Sequence, residues 1–424
     1  MNYQETLAYL YKNLPMFQRV GAIAYKKDLT NTLQLCKALG NPHHTFKSLH
    51  VAGTNGKGSS SHMLAAILQS AGYNTGLYTS PHLKEFTERI KVNGSEISQD
   101  FVVDFVERMK PSIETIKPSF FEITVAMAFD YFAHEHIDVA VVETGLGGRL
   151  DSTNVITPCL SLITNISWDH MDLLGDTLPK IAFEKAGIIK VGVPVVVSEY
   201  QPEVADVFRI KTTETNSKIQ FASEEYQIQS KQPGTFEVID HDHSTTYTLD
   251  LMGGYQKKNL AGVLAAVDQL RSQGFKISEQ AVRAGLANTT RLTGLKGRWQ
   301  TIGTNPLTIC DTGHNESGIQ EILENLKSVP YRQLHWVWGM VGDKDVSKIL
   351  SLLPKDAHYY FCQASIPRAM QVEALVEKAL FAGLRGETVK DVNQALAQAR
   401  LKSNPDDLIL IGGSTFVVAE LNDL

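Results

Sequence analysis

The chain has 424 residues, 43% hydrophobic and 20% charged, with a formal net charge of −6 at pH 7. That length exceeds a single core, so two or three domains are expected, and an acidic balance without a basic run excludes a nucleic-acid or anionic-membrane footprint. No apolar stretch reaches the roughly 20 residues that cross a bilayer, and Met1-Asn2-Tyr3-Gln4-Glu5-Thr6 lacks the regions of a secretory leader. Cys36, Cys159, Cys310 and Cys362 are scattered, with no C-x-x-C pair. Reduced thiols and a cytoplasmic enzyme are therefore expected.

The first informative element is the apolar run Leu49-His50-Val51-Ala52, followed by Gly53-Thr54-Asn55-Gly56-Lys57-Gly58-Ser59 and a helical pattern from Ser60 to Ala71, closed by Gly72. Strand, glycine-rich turn and helix in that order make a phosphate cradle. The glycines let backbone N–H groups turn toward one point, and the helix N-terminus adds partial positive charge. Lys57 can reach the β- and γ-phosphates, and Ser59 can offer a hydroxyl to Mg²⁺. The spacing is shorter than the common G-x-x-x-x-G-K-[ST]. The Lys-Gly-Ser ending in its strand–helix context favours a nucleoside triphosphate site over a glycine-rich turn with a surface lysine.

From His50 to Pro202 strands and helices alternate. The strands are read at Thr75 to Thr79, Asp138 to Glu143, Cys159 to Asn165 and Val193 to Ser198. Helices at Phe101 to Lys110, Phe121 to His134 and Leu178 to Lys190 fit the crossovers of a parallel sheet. Short β-prone segments from Lys218 to Leu251 predict an antiparallel insertion on the edge of the first domain, with Asp240-His241-Asp242-His243 as a turn. Helices follow at about Gln256 to Gln273 and Ser278 to Ala287. The stretch Arg291 to Arg298, with two glycines and no periodicity, marks the domain boundary. A second βα series has strands near Leu307 to Asp311, His335 to Gly339, Tyr359 to Cys362 and Leu408 to Ile411.

Several side chains could complete a nucleotide site. Glu143 ends its strand, where ligands of doubly wound sheets bind, and is placed to hold Mg²⁺ or its water. His170 lies just past another strand of the same sheet. Lys185, in Phe183-Glu184-Lys185-Ala186, reads by propensity as a solvated helix lysine. Glu122 and Thr124 start a helix, where a glutamate suits the dipole. His43-His44 and His241-Asp242-His243 read as solvated loops without a full ligand set for a metal.

Together these residues carry a resemblance. Gly53 to Ser59 is similar to the P-loop of the folylpolyglutamate synthase and dihydrofolate synthase family, within the Mur ligase superfamily. Tyr78-Thr79-Ser80-Pro81-His82-Leu83, Phe86-Thr87-Glu88-Arg89-Ile90, Glu143 through Asn154, Asp169-His170 and Glu184 through Lys190 match in order. So do Asp311-Thr312-Gly313-His314-Asn315 and Gly412-Gly413-Ser414. One departure is Thr312, where the family has Asp-Gly-Ala-His-Asn. The resemblance implies a P-loop α/β ATPase domain over residues 1–296, with a small antiparallel insertion, then a smaller Rossmann-like α/β glutamate-ligase domain over 297–424.

It further implies an ATP-dependent amide ligase acting through an acyl phosphate on a folate-type carboxylate, with L-glutamate as the amine. Gly53, Thr54, Asn55, Gly56, Lys57, Gly58, Ser59, Asn259, Arg298 and Asp311 would contact ATP. Ser59, Ser80, Glu143, His170 and a CO₂-carbamylated Lys185 would hold two Mg²⁺. Lys57, Lys185, His170, Arg298 and His314 would serve the chemistry, and Ser80, Pro81, His82, Arg89, Asp151 and Ser414 the substrates. Domain closure on the nucleotide is part of the same expectation. Gly147 through Asn154 resembles members with both synthase activities; a monofunctional folylpolyglutamate synthase is the alternative. With 52 residues before Gly53, a cell-wall UDP-sugar ligase is not expected. Asp172-Leu173-Leu174-Gly175 spells D-x-x-G, but no N-K-x-D accompanies it to suggest a guanine-nucleotide switch. The family leans to a monomer.

Overall fold

The computed structural model describes residues 1–16, 21, 26, 28–240, 243–342 and 346–424. The chain divides into two compact units, Met1–Asp250 with Gln256–Leu295, and Leu251–Tyr255 with Lys296–Leu424.

The first unit is built on an eight-stranded sheet. Its strands are β1 (Lys47–Ala52), β2 (Thr75–Tyr78), β3 (Ile90–Val92), β4 (Ser95–Glu96), β5 (Val139–Glu143), β6 (Leu160–Ile163), β7 (Val195–Val197) and β8 (Ile219–Phe221). They lie in the order β4-β3-β2-β5-β1-β6-β7-β8. All neighbours are parallel except β2–β3 and β3–β4. Every residue of β5 is buried, as apolar sequence covered by helices on both faces requires. Ser119 and Glu122 form a capping box on the helix Phe120–His134, so Glu122 sits in the first turn where the dipole favours it, buried, and also accepts from Asn31 Nδ2.

Element bounds differ from the sequence reading where capping decides them. One helix runs Gln99–Ile116, started by Ser98 and continuing through Pro111. The helix expected to reach Lys190 stops at Ala186, before Gly187. A short helix, Thr289–Thr293, takes the first three residues of the stretch read as irregular and ends at Gly294, φ 68°. The antiparallel insertion forms a sheet of its own, β9 (Tyr226–Gln232), β10 (Thr235–Asp240) and β11 (His243–Thr248). It is not an edge of the large sheet, and it packs on the helices Gln256–Ser272 and Glu279–Ala287. His241 and Asp242 of the expected turn lie outside the described residues.

The second unit has six strands, β12 (Gln300–Thr304), β13 (Leu307–Cys310), β14 (Leu334–Trp338), β15 (His358–Phe361), β16 (Gly386–Thr388) and β17 (Leu408–Gly412). Their order is β12-β13-β17-β14-β15-β16, parallel apart from β12. Trp336 and Trp338 are fully buried edge to face, 5.1 Å between centroids, in its core. Among the described residues no helix is long and apolar enough to cross a membrane.

Candidate active site

The centre of the first sheet ends in a cradle. β1 lies between β5 and β6, and at its end the chain turns through Gly53 (φ 143°) and Gly56 (φ 87°) into the helix Lys57–Ser70. A Cβ on Gly53 would sit 1.8 Å from Thr164 Oγ1, and one on Gly56 would sit 2.1 Å from Asn259 Oδ1. Both positions therefore need glycine for space as well as for backbone conformation. The segment after β6 braces the loop. Thr164 Oγ1 donates to Asn55 O (2.6 Å), Asn55 N donates to Asn165 Oδ1 (2.9 Å), and Ser167 N donates to Thr54 Oγ1 (3.0 Å). The first-turn N–H groups of the following helix, which have no intrahelical acceptor, face an anion by default.

Two lysines converge on one carbonyl beneath this loop. Lys57 Nζ donates to Gly53 O (3.1 Å) and Thr54 O (3.2 Å), and Lys185 Nζ donates to Gly53 O at 2.8 Å. Lys185 is 4% exposed, so it is not the solvated helix lysine that propensity suggests. Burial pulls its pKa down from 10.5 to about 7, helped by the Lys57 charge and opposed by Asp169 and Asp151. Ser59 is buried on the same helix and accepts from Gln256 Nε2 (3.2 Å), whose Oε1 accepts from Asn259 Nδ2 (2.7 Å). That pair of bonds sets Asn259 against Gly56.

Oxygen donors gather at neighbouring strand ends. Glu143 ends β5, 5% exposed, and its Oε2 accepts from Ser80 N (3.3 Å), just past β2. His170 (φ 50°) opens the short helix Met171–Leu174, with Nε2 3.8 Å from Asp169 Oδ2. Among the described residues no cluster of three His, Cys, Asp or Glu could hold a metal by itself. One carboxylate with hydroxyls at a phosphate cradle fits Mg²⁺, which keeps waters and shares its shell with substrate phosphates.

Beyond Ser80 come the substrate candidates of the first unit, of which Arg89 and Asp151 are buried, His82 half-buried and Pro81 exposed. Arg89, 3% exposed, donates from Nε to His82 Nδ1 (2.8 Å) and lies 5.4 Å from the Phe120 ring centroid. Burial lowers the Arg89 pKa and pushes His82 down to about 3. Pro81 follows Ser80 on the same turn. Asp151 caps the turn Ser152–Val155. Its Oδ1 accepts from Thr153 N (3.0 Å) and Thr153 Oγ1 (2.5 Å), and its Oδ2 from Leu146 N (2.8 Å). Burial raises the Asp151 pKa against those bonds.

In the second unit, Asp311 is buried at the end of β13. Tyr255 OH and Trp299 N donate to its Oδ2, each at 2.8 Å, and Gly313 N donates to Oδ1. Arg298 Nη1 donates to Thr312 Oγ1 and to Gly297 O, so the residue that departs from the family pattern holds this arginine. His314 Nδ1 lies 3.0 Å from Thr312 O. Ser414 caps the helix Thr415–Glu420.

Sequence reasoning missed Thr164, Asn165 and Gln256, which brace the cradle, Tyr255, which holds Asp311, and His50. A polar side chain inside a doubly covered parallel strand was the available signal for His50. His43 also departs from expectation. It is 7% exposed, with its ring 6.1 Å from Phe129, and burial lowers its pKa to about 4. It is a core residue of the 3₁₀ turn Pro42–His44 rather than a solvated loop.

Comparison with known proteins follows the same outline. Residues 51–267 match the Mur ligase middle domain, and residues 297–415 match the Mur ligase glutamate ligase domain. A Bacillus subtilis dihydrofolate synthase/folylpolyglutamate synthase is 33% identical over 412 residues, covering 93% of this chain and 94% of that protein. An Escherichia coli FolC structure in complex with DHPP and ADP superposes with TM-score 0.86 at 29% identity, covering 99% of this chain and 96% of that one. A bifunctional folylpolyglutamate synthase/dihydrofolate synthase structure with Mn, AMPPNP and L-glutamate bound gives TM-score 0.84 at 28% identity, with 99% and 97% coverage. Two domain matches in order, and near-complete overlap with relatives of this identity, establish that the chain belongs to the dihydrofolate synthase/folylpolyglutamate synthase family of Mur ligases.

Proposed function

We propose that this protein uses ATP to join L-glutamate to the carboxylate of a folate-type acceptor, acting on reduced folates and on dihydropteroate. The observation that carries the reading is the glycine cradle with Lys57 and Lys185 converging on the Gly53 carbonyl. An acceptor carboxylate oxygen attacks the γ-phosphorus, the bond to the β-bridging oxygen breaks, and ADP leaves. The glutamate amine then attacks the acyl carbon, the bond to phosphate oxygen breaks, and the amine gives up a proton as the amide forms. Such chemistry asks mainly for positioning and charge neutralisation.

Gly53 to Ser59 supply backbone N–H groups to the phosphates, and Lys57 follows the transferred charge. Ser59, Ser80, Glu143 and His170 are the proposed Mg²⁺ residues; when bound, the ion offsets phosphate charge and fixes phosphate geometry. Asn259, Arg298 and Asp311 are assigned to the nucleotide. His314 is assigned to the nucleotide and the chemistry, and Ser80, Pro81, His82, Arg89, Asp151 and Ser414 to the substrates.

Lys185 is proposed to be carbamylated: its neutral Nζ attacks CO₂ and loses a proton, leaving an N-carboxylate that helps hold a second Mg²⁺. Burial supports this reading, because a pKa of about 7 supplies the neutral amine. The carbamate also replaces repulsion from Lys57 with attraction. The four free cysteines suit a reducing cytoplasm, and the protein is read as a monomer. Phosphate release with ATP and glutamate, comparing dihydropteroate and tetrahydrofolate, tests the function. Glutamate-independent hydrolysis would refute it, and turnover with tetrahydrofolate alone would leave the monofunctional alternative.

A further inference from the structure

His50 sits in the middle of β1, between β5 and β6, and is fully buried. Its Nε2 is 2.8 Å from Thr153 Oγ1, and Thr153 Oγ1 is 2.5 Å from Asp151 Oδ1. Thr153 is also fully buried. The other histidine nitrogen, Nδ1, is buried with no hydrogen-bond partner among the described residues.

Proton counting fixes this chain of three. A carboxylate only accepts, and Asp151 already collects backbone N–H groups from Leu146 and Thr153. The single Thr153 hydroxyl proton must then point to Asp151, so its oxygen must accept from His50. His50 therefore carries its proton on Nε2, and Nδ1 keeps a bare lone pair. Burial, reinforced by the Lys190 charge, holds the ring neutral. The orphaned Nδ1 follows from the relay, because the ring has one proton and Thr153 takes it.

We propose that His50 and Thr153 are positioning residues for the acceptor site: they lock the Asp151 carboxylate in one rotamer, and with it the Leu146 and Thr153 backbone that the carboxylate holds. The proposal rests on the reading that Asp151 meets the acceptor. It adds that the orientation is set from inside the sheet, by a strand that also leads into the phosphate cradle. An orientation error at Asp151 weakens acceptor binding without touching the Lys57 loop, so acceptor and ATP parameters separate.

The test is steady-state kinetics with dihydropteroate and tetrahydrofolate, joined to ¹⁵N NMR of histidine-labelled full-length protein. Thr153→Val, which keeps the shape and removes the hydroxyl, is expected to raise the acceptor KM about tenfold, the scale of one hydrogen bond to a charged group, with the ATP KM within about twofold. Thr153→Ser, which restores the hydroxyl, is expected to return the acceptor KM to near wild type. The His50 resonances, assigned by their loss in His50→Gln, should show the Nε2–H form in wild type, with its proton resonance shifted upfield in Thr153→Val, where that proton loses its acceptor. Asp151→Asn separates the two layers. If it raises the acceptor KM while Thr153→Val does not, the relay is overturned and the acceptor reading stands. If Asp151→Asn leaves the acceptor KM unchanged, the acceptor reading falls and the relay with it. A His50 ring in the Nδ1–H form would overturn the relay directly.

Discussion

Replacing Lys185 by methionine should make the protein more stable and inactive at once. The lysine is 4% exposed, and its ammonium is disfavoured enough to bring its pKa from 10.5 to about 7. That difference corresponds to about 5 kcal/mol against the charged form in the folded state, at roughly 1.4 kcal/mol per unit. Lys185→Met removes this cost and keeps an unbranched chain of similar volume. It forfeits one hydrogen bond to Gly53 O, worth about 1–2 kcal/mol, and Lys57 still donates to that carbonyl. The expected net gain is about 2–4 kcal/mol at pH 7 in CO₂-free buffer.

The gain should also depend on pH. Between pH 7 and 10.5 the unfolded lysine binds a proton that the folded one does not, so wild-type stability rises with pH there. The gap between variant and wild type should therefore narrow by up to about 1.4 kcal/mol per pH unit, cross zero before pH 10.5, and leave the variant less stable above it by about the one lost hydrogen bond. Below pH 7 the gap should be at its full width. Urea denaturation of both proteins at pH 7, 8 and 9 reads this directly. A gap that stays constant across that range, or a variant that is less stable at pH 7, would refute the reasoning.

Four further outcomes are expected. Lys57→Ala should fold with an unchanged melting temperature and lose several orders of magnitude in kcat, since it removes a charge that follows the transferring phosphoryl group; near-normal turnover would remove the P-loop assignment. If Lys185 carries the proposed carbamate, Lys185→Ala should be nearly inactive and partly rescued by acetate in its place, measured as phosphate release against acetate concentration. Gly53→Ala, which drives a Cβ to 1.8 Å from Thr164 Oγ1, should abolish ADP binding by calorimetry while the second unit keeps its near-ultraviolet tryptophan signal. Acidification should expose His50, whose pKa falls from 6.5 to about 3 on folding. Stability attributable to this residue should drop by about 2 kcal/mol from pH 7 to 5, since the unfolded ring protonates and the buried one does not. His50→Gln should flatten that part of the acid-unfolding curve.

The cradle was legible because its glycines, lysine and serine are adjacent in sequence and follow an apolar strand. Sheet order was legible only as parallel alternation, since the reversed β3 and β4 are three and two residues long. Lys185 could not be read from its helix: Glu184 and Lys185 look like a surface pair, and burial arises because the loop at Gly53 folds over the helix from 132 residues away. The brace from Thr164 and Asn165 was hidden for the same reason, as its bonds span about a hundred residues of sequence and have no local periodicity. Asp311 was found through its motif, but two of its donors, Tyr255 and Trp299, could not be, because they lie 56 and 12 residues before it in the chain with no pattern that links them to it.

That last segment bears on how the protein can be taken apart. Leu251–Tyr255 belongs to the second unit although it lies within the sequence span of the first. Three peptide junctions, at 250/251, 255/256 and 295/296, therefore join the two units. A fragment beginning at Lys296 leaves behind the phenol that donates to Asp311, and the asparagine that meets Gly254 N, Asn325, loses its acceptor role as well. Such a fragment keeps the sheet and the tryptophan core but presents Asp311 with one donor fewer. Supplying the missing pentapeptide in trans, or fusing it ahead of Lys296 through a flexible linker, would restore that donor. In this architecture a modular boundary drawn as a single cut divides Asp311 from its own support.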